Sequence, residues 1–76
     1  MRERKILWID LKSLRQKQGW RQEESAKKLG ISRSYLSAME NKKRGISINT
    51  MEAIIMVFGV KYEDFLRVNL KEGKDN

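Results

Sequence analysis

Glycine spacing is the feature that most constrains the fold of this chain, because the sequence contains no proline and its glycines fall at helical intervals. Gly19, Gly30, Gly45 and Gly59 divide the chain into segments that are each long enough for one short helix. Glycine adopts the left-handed conformation that ends many helices without steric cost, so we expect these positions to be helix C-terminal stops. The spacing predicts an assembly of short helices.

Apolar periodicity within the segments predicts five helices. The first helix runs from within residues 5–10 to Gln18, and the second is opened by Trp20 and Gln22-Glu23-Glu24 and ends at Leu29. The third covers about Arg33–Glu40 after a Ser32 cap, the fourth follows a cap at Ser47 or Asn49, and the fifth runs from Tyr62 to about Val68. Residues 51–58 give the fourth helix the strongest apolar stripe in the chain. The expected fold is therefore all-α, a compact five-helix domain.

The length of 76 residues allows one domain. We expect residues 1–8 to be a basic N-terminal arm or an extension of the first helix. Residues 9–68 are then the folded domain, and residues 69–76 are a polar C-terminal tail.

The composition argues against catalysis and against a metal site. The chain has no cysteine and no histidine, which removes disulfides, thiolate ligands and the commonest general base. No nucleophile–base pair is visible, so we expect neither an enzyme nor a cofactor or metal. The apolar run at residues 6–9 is too short to span a membrane, and we expect a cytoplasmic protein.

Charge is distributed unevenly along the chain. Residues 1–44 carry 13 Lys and Arg against 5 Asp and Glu, whereas residues 45–76 carry 4 against 5. The first part is therefore strongly basic and the second nearly neutral. General solubility accounts for a basic surface, but the asymmetry favours a surface that binds a polyanion such as nucleic acid.

The most informative stretch is residues 22–44, which predicts two short helices joined by Leu29-Gly30-Ile31. Ala26 is small enough to let the two helices cross closely, and Leu36 is expected to fill the angle between them. The outer face of the second helix carries short polar side chains and one arginine, with no acidic residue before Glu40. A helix that enters the major groove of DNA needs such a face.

The chain resembles the lambda-repressor-like, Xre-type helix-turn-helix family of transcription regulators over roughly residues 9–66. The resemblance lies in the stretch LKSLRQKQGWRQEESAKKLGISRSYLSAMENKKR and its continuation SINTMEAIIMVFGV. Its motif elements are Leu11, Leu14, Arg15, Gly19, Gln22-Glu23-Glu24, Ala26, Leu29-Gly30-Ile31-Ser32 and Glu40-Asn41. The resemblance implies that residues 9–68 are a DNA-binding domain of five helices, with the third helix in the major groove of double-stranded DNA.

Two sets of DNA contacts follow from the resemblance. The set that reads bases lies on the outer face of the third helix and consists of Arg33, Ser34, Ser37 and Ala38. Arginine can bond bidentately to guanine, and alanine can pack on a thymine methyl group. The set that contacts phosphate consists of Gln22, Asn41, Lys42, Lys43 and Arg44. We add two residues to it on other grounds: Arg21, which departs from the family pattern and offers a further phosphate contact, and Tyr35, which can stack beside the backbone or touch a base step. Taken alone, the basic cluster at residues 42–44 is equally well explained as a solvated loop.

Other positions favour structural roles or depart from the family pattern. Arg15 and Glu40 resemble an ion pair that joins the first helix to the end of the third, and Trp20 is expected to fill the core. Arg21 stands where the family usually has Ser or Thr as a helix cap, and loss of a cap costs about 1 kcal/mol. Ser25 replaces a usual leucine, which thins the core and leaves space for Trp20 or for residues 6–9.

We expect a homodimer on a palindromic or pseudo-palindromic operator, because a single short helix contacts too few bases. The candidate dimer residues are apolar positions near the C-terminus: Val57, Val60, Tyr62, Phe65, Val68 and Leu70. The alternative is that these side chains only complete the core of the monomer.

The expected function is that of a repressor or autoregulator. A restriction–modification controller is one possibility, because Arg33-Ser34-Tyr35-Leu36-Ser37 resembles the recognition helix of that group. An antitoxin-like protein or an adaptor that uses the fold to bind protein remains open.

Overall fold

The part of the chain that the structure describes, residues 4–71, contains four α-helices and two short strands. In this computed structural model the elements follow the order β1 (Lys5–Trp8), α1 (Leu11–Gln18), α2 (Gln22–Leu29), α3 (Arg33–Glu40), α4 (Ile48–Phe58), a 3-10 turn (Tyr62–Asp64) and β2 (Leu66–Asn69). The strands pair antiparallel, with Lys5 opposite Asn69, Leu7 opposite Arg67 and Trp8 opposite Leu66. The two ends of the described chain therefore meet in one sheet.

Three of the four helices end on a glycine, as the spacing predicts. Gly19, Gly30 and Gly59 adopt left-handed φ angles of 74°, 74° and 71°. Gly45 is the exception, because α3 ends earlier, at Glu40. A Cβ added at Gly45 would lie 3.0 Å from Cβ of Ile6 on β1, so this glycine allows the loop before α4 to approach the sheet closely.

Short polar side chains set where three helices begin. Asp10 accepts from the backbone N–H of Ser13 at the start of α1, and Ser32 accepts from that of Tyr35 in α3. Ser47, rather than Asn49, caps α4 by accepting from the backbone N–H of Thr50. Such caps satisfy N–H groups that have no partner within the first turn of a helix.

The expectation of an all-α, five-helix domain needs correction at both ends. Residues 5–8 are a strand, neither a free arm nor an extension of the first helix, because Asp10 starts α1 and the preceding residues pair with β2. The fifth helix is only the 3-10 turn, since the chain continues from Phe65 into β2. Residues 69–71 also belong to the fold, whereas residues 1–3 of the expected arm and 72–76 of the expected tail lie outside the described residues.

The hydrophobic core lies between the four helices and the sheet. Its buried members are Ile9, Leu11, Ala26, Leu29, Leu36, Met39, Ile46, Met51, Ile54 and Phe65. Trp20 packs on Phe58 at the end of α4, with ring centroids 5.5 Å apart. No helix in residues 4–71 has the length and apolar character that a membrane crossing requires.

Candidate nucleic-acid interface

Helices α2 and α3 form a helix-turn-helix whose turn is held by its own backbone. Gly30 donates to the carbonyl of Lys27, and Ile31 donates to that of Ala26 at 3.0 Å. These bonds close the end of α2, and the Ser32 cap then starts α3 after a single turn. Ala26 and Leu36 are buried where the two helices meet, so the outer face of α3 is held away from the core.

The outer face of α3 carries the four residues that the sequence predicts to read bases. Arg33 and Ser34 are exposed at the N-terminal end, and Ser37 and Ala38 are half-buried one turn later. A cleft between the starts of α2 and α3 is lined by Arg21, Gln22 and Arg33, among others. The arginine predicted to read a base and two of the predicted phosphate ligands therefore face the same concave surface.

A second concave surface lies on the other side of α3. It is lined by Ser32, Ser34, Tyr35, Ala38 and Arg44. The guanidinium carbon of Arg44 lies 5.2 Å from the centre of the Tyr35 ring, within the range of a cation–π contact. Tyr35 thus orients a basic loop side chain beside the face of α3.

The far end of α3 is anchored by a buried ion pair. Arg15 of α1 donates to both carboxylate oxygens of Glu40, at 2.7 and 3.1 Å, and the two side chains are only 12% and 4% exposed. Arg15 also donates to the backbone carbonyl of Trp20 at 3.2 Å. The hydrogen bond to Glu40 raises the pKa of Arg15, so this guanidinium stays charged.

Two of the predicted phosphate ligands already make hydrogen bonds within the protein. The side-chain amide of Gln22 donates to Glu40 at 3.0 Å, which joins α2 to the same ion pair. The side-chain amide of Asn41 donates to the backbone carbonyl of Ser37 at 2.9 Å and so closes the end of α3. A side-chain amide has two N–H donors, so one donor of each residue remains for a phosphate oxygen.

The basic loop at residues 42–44 is held by the sheet. Lys42 has a left-handed φ of 61°, and its carbonyl accepts from the backbone N–H of Lys71. Its ammonium group lies 4.6 Å from the centre of the Trp8 ring. Lys43 and Arg44 are exposed beside it, so the sheet fixes the loop while two of its cations face outward.

Trp8 holds the end of α3, a role that the sequence does not predict. Its indole N–H donates to the backbone carbonyl of Met39 at 2.7 Å, near the C-terminal end of α3. The only sequence signal is the apolar run of residues 6–9, which has no helical periodicity of its own. Both ends of the α3–α4 loop therefore contact β1, because Ile46 also donates its backbone N–H to the carbonyl of Leu7 at 3.1 Å.

The candidate dimer residues do not form one exposed surface. The prediction that Phe65 lies at a dimer interface is wrong, because Phe65 is only 8% exposed and belongs to the core. Val57 and Val60 are half-buried and pack on that core, and Val68 is half-buried in β2. Tyr62, by contrast, is 61% exposed.

Comparison with known proteins is consistent with this geometry. Residues 11–65 match the family model described as helix-turn-helix. The chain is 35% identical over 57 residues to a protein named "Neisseria hypothetical transcription factor" from Neisseria meningitidis serogroup B (strain ATCC BAA-335 / MC58). That match covers 75% of this chain and 54% of the relative, so the chain spans about half the length of the relative. No solved structure matches.

Proposed function

Because the chain belongs to the lambda-repressor-like, Xre-type helix-turn-helix family, we propose that it regulates transcription by binding double-stranded DNA in a sequence-specific manner. The family match confirms the resemblance identified in the sequence. The observation that carries the proposal is the start of α3, where Arg33 and Ser34 are exposed and Arg33 lines a cleft with the N-terminus of α2. In the proposed complex α3 lies in the major groove with this end toward the bases.

Base reading is assigned to one face and backbone binding to its surroundings. Arg33 has the length and fork geometry to bond to guanine O6 and N7 together, and Ser34, Ser37 and Ala38 contact neighbouring base edges. Arg21 and Gln22 bind phosphate at the start of α2, where the helix N-terminus also favours an anion. Lys43 and Arg44 bind phosphate beyond the other end of α3.

The proposed active form is a homodimer on a palindromic or pseudo-palindromic operator. Two copies related by a two-fold axis place two α3 helices in successive major grooves, about 34–36 Å apart. The doubled contact supplies the affinity that one eight-residue helix lacks. Within this proposal the protein acts as a repressor or autoregulator, and a restriction–modification controller is the specific version.

Selection of bound sequences from a random DNA pool tests the proposal most directly. We expect an enriched motif with two inverted half-sites about one DNA turn apart. Affinity for that motif should fall steeply with salt, with a slope of about 0.9 for each phosphate neutralised. No enrichment, together with no retention on DNA at low salt, would contradict DNA binding and favour the adaptor alternative.

Two matched alanine variants separate base reading from phosphate binding. Arg33→Ala should cost about 1–3 kcal/mol on the selected site and relax the preference at one base pair of each half-site. Lys43→Ala should weaken binding to all sequences alike and reduce the salt slope by about 1. If Arg33→Ala left discrimination between sites unchanged, its assignment to base reading would be wrong.

A further inference from the structure

The outer edge of β2 carries backbone groups whose direction follows from the sheet register. In an antiparallel ladder, pairs that exchange both hydrogen bonds alternate with pairs whose N–H and C=O groups point away from each other. The carbonyl of Leu7 accepts from the backbone N–H of Ile46, which lies outside the sheet. Leu7 and its partner Arg67 are therefore a pair whose N–H and C=O groups point away from each other. Leu70 donates to the carbonyl of Arg4, which fits the same alternation. Arg67 and Asn69 therefore direct their backbone N–H and C=O groups toward the outer edge of β2.

The two edges of the sheet differ in what covers them. The outer edge of β1 contacts the loop before α4 through the hydrogen bond from Ile46 to Leu7. On the other edge, the backbone groups of Arg67 and Asn69 have no hydrogen-bond partner within residues 4–71, whereas the backbone N–H of Lys71, the next outward residue, donates to the carbonyl of Lys42 at 2.8 Å. The loop after α3 therefore closes this edge beyond Asn69, and the open part of the edge consists of Arg67 and Asn69. Leu66 on the same strand is 56% exposed. Backbone N–H and C=O groups without partners on a strand edge are a template for pairing with another chain.

The side chains of β2 match a second copy of β2 in only one register. In an antiparallel pair of two β2 strands, the outward backbone groups of Arg67 and Asn69 must face each other across the two-fold axis. Three registers meet this condition, and the axis then passes beside Arg67, Val68 or Asn69. The first sets Arg67 opposite Arg67 of the other copy, and the third sets Arg67 opposite Lys71, so both place like charges together. Centring on Val68 instead sets Arg67 opposite Asn69, Leu66 opposite Leu70, and Val68 opposite itself.

The same register also joins the apolar faces of the two sheets. Side chains at every second position share a face of a strand, so Leu66, Val68 and Leu70 lie on one face with Ile6 and Trp8 of β1. Pairing about Val68 continues this row of apolar side chains into the second copy, where Leu70 of one copy lies opposite Leu66 of the other. Apolar cross-strand neighbours stabilise such a pair.

We propose that two copies of this chain associate along β2, so that their sheets form one four-stranded antiparallel sheet in the order β1–β2–β2–β1. The two-fold axis passes beside Val68, and Arg67 of each copy exchanges both backbone hydrogen bonds with Asn69 of the other. This inference names the partner surface of the dimer in the proposed function and rests on that proposal. It retains Val68 and Leu70 of the expected interface and leaves Val57, Val60 and Tyr62 outside its centre.

The test is sedimentation equilibrium of the full chain without DNA, across the micromolar range. We expect the wild type to be a monomer–dimer equilibrium and Arg67→Pro to dimerise about 10- to 100-fold more weakly, since it removes one outward N–H from each copy. Proline is tolerated on an edge strand because the lost donor is not used inside the sheet. Arg67→Ala is the matched control, because it removes the charge but keeps the N–H, and it should dimerise at least as well as the wild type.

Amide hydrogen exchange on the unmodified chain gives an independent measurement if Arg67→Pro does not fold. Exchange at Arg67 and Asn69 should slow as the protein concentration rises, whereas exchange at Val68, which bonds within the monomer, should depend less on concentration. A wild type that stays monomeric, an Arg67→Pro variant that dimerises normally, or amides at Arg67 and Asn69 that exchange freely in a dimer would each overturn the proposal.

The DNA experiment separates this inference from the proposed function. A monomeric Arg67→Pro variant that still retains the selected half-site, but binds the full operator more weakly, supports both. A dimer that binds no DNA at low salt would leave the strand pairing intact and contradict the proposed function.

Discussion

The ion pair between Arg15 and Glu40 predicts a large and non-additive loss of stability when Arg15 is removed. Glu40 is 4% exposed and accepts three hydrogen bonds, of which two come from Arg15 and one from Gln22. Arg15→Ala removes the cation and leaves a buried carboxylate with only the Gln22 amide. Glu40→Gln keeps the shape of the side chain but removes its charge, so the two variants form a cycle with their combination.

The expected magnitude is large for a domain of this size. Removing one partner of a buried ion pair costs about 3–5 kcal/mol. At about 0.05–0.15 kcal/mol per residue, a chain of 76 residues has a free energy of unfolding of about 4–11 kcal/mol. Arg15→Ala therefore loses a large part of the total stability. The double variant should lose less than the sum of the single losses, with a coupling energy of about 2–3 kcal/mol.

Urea unfolding followed by tryptophan fluorescence and by circular dichroism measures these free energies. The hydrogen bond to Glu40 raises the pKa of Arg15. The contribution of this shift is therefore complete below the ordinary pKa of arginine and is lost only as the pH rises through the folded-state pKa. From neutral pH up to the ordinary pKa of arginine, the coupling energy should therefore stay constant. A coupling energy below about 0.5 kcal/mol would refute the view that this pair fastens α1 to the end of α3.

Three further substitutions test local features. Ser25→Ala should raise the free energy of unfolding by about 1 kcal/mol, because the Ser25 hydroxyl is buried without a hydrogen-bond partner in the described chain; a loss of stability in urea would contradict this. Arg21→Ser should add about 0.5–1 kcal/mol by supplying the missing cap of α2 and should also weaken DNA binding, so calorimetric melting and a binding titration should change in opposite directions. Trp8→Phe keeps a ring beneath Lys42 but removes the N–H donated to Met39, and should cost about 1 kcal/mol in urea unfolding; unchanged stability would show that the indole N–H contributes little.

The helix-turn-helix could be predicted from the sequence because its signals are local. Gly30 ends α2 and Ser32 starts α3, and each acts on backbone groups within four residues of itself. The Arg15–Glu40 contact joins distant positions, and it was expected from the family resemblance. The structure contains that contact with both carboxylate oxygens engaged.

The sheet could not be predicted because its two strands lie at opposite ends of the chain. Residues 6–9 form an apolar run without alternation, which fits a short strand or a buried helix equally well. The pairing partner, Leu66–Asn69, follows a 3-10 turn whose residues resemble the start of a helix. The sequence predicts Val68 and Leu70 as dimer residues, whereas the structure also gives them a place within the monomer: Val68 pairs with Ile6, and Leu70 donates its backbone N–H to the carbonyl of Arg4.

The position of the anchors on α3 has a consequence for specificity. Glu40 is held by Arg15 and Gln22, and the carbonyl of Met39 is held by Trp8, so these side-chain anchors act near the C-terminal end of the helix. The residues proposed to read bases begin at the other end, about 12 Å away for eight residues. A tilt of about 10° at the anchored end therefore displaces Arg33 by about 2 Å, well beyond the roughly 0.5 Å within which a binding group must be held. An anchor variant such as Arg15→Ala, assayed where it is still folded, should lose affinity for the selected operator while its affinity for random DNA changes little. An equal loss on both DNAs would mean that the anchors stabilise the fold without orienting α3.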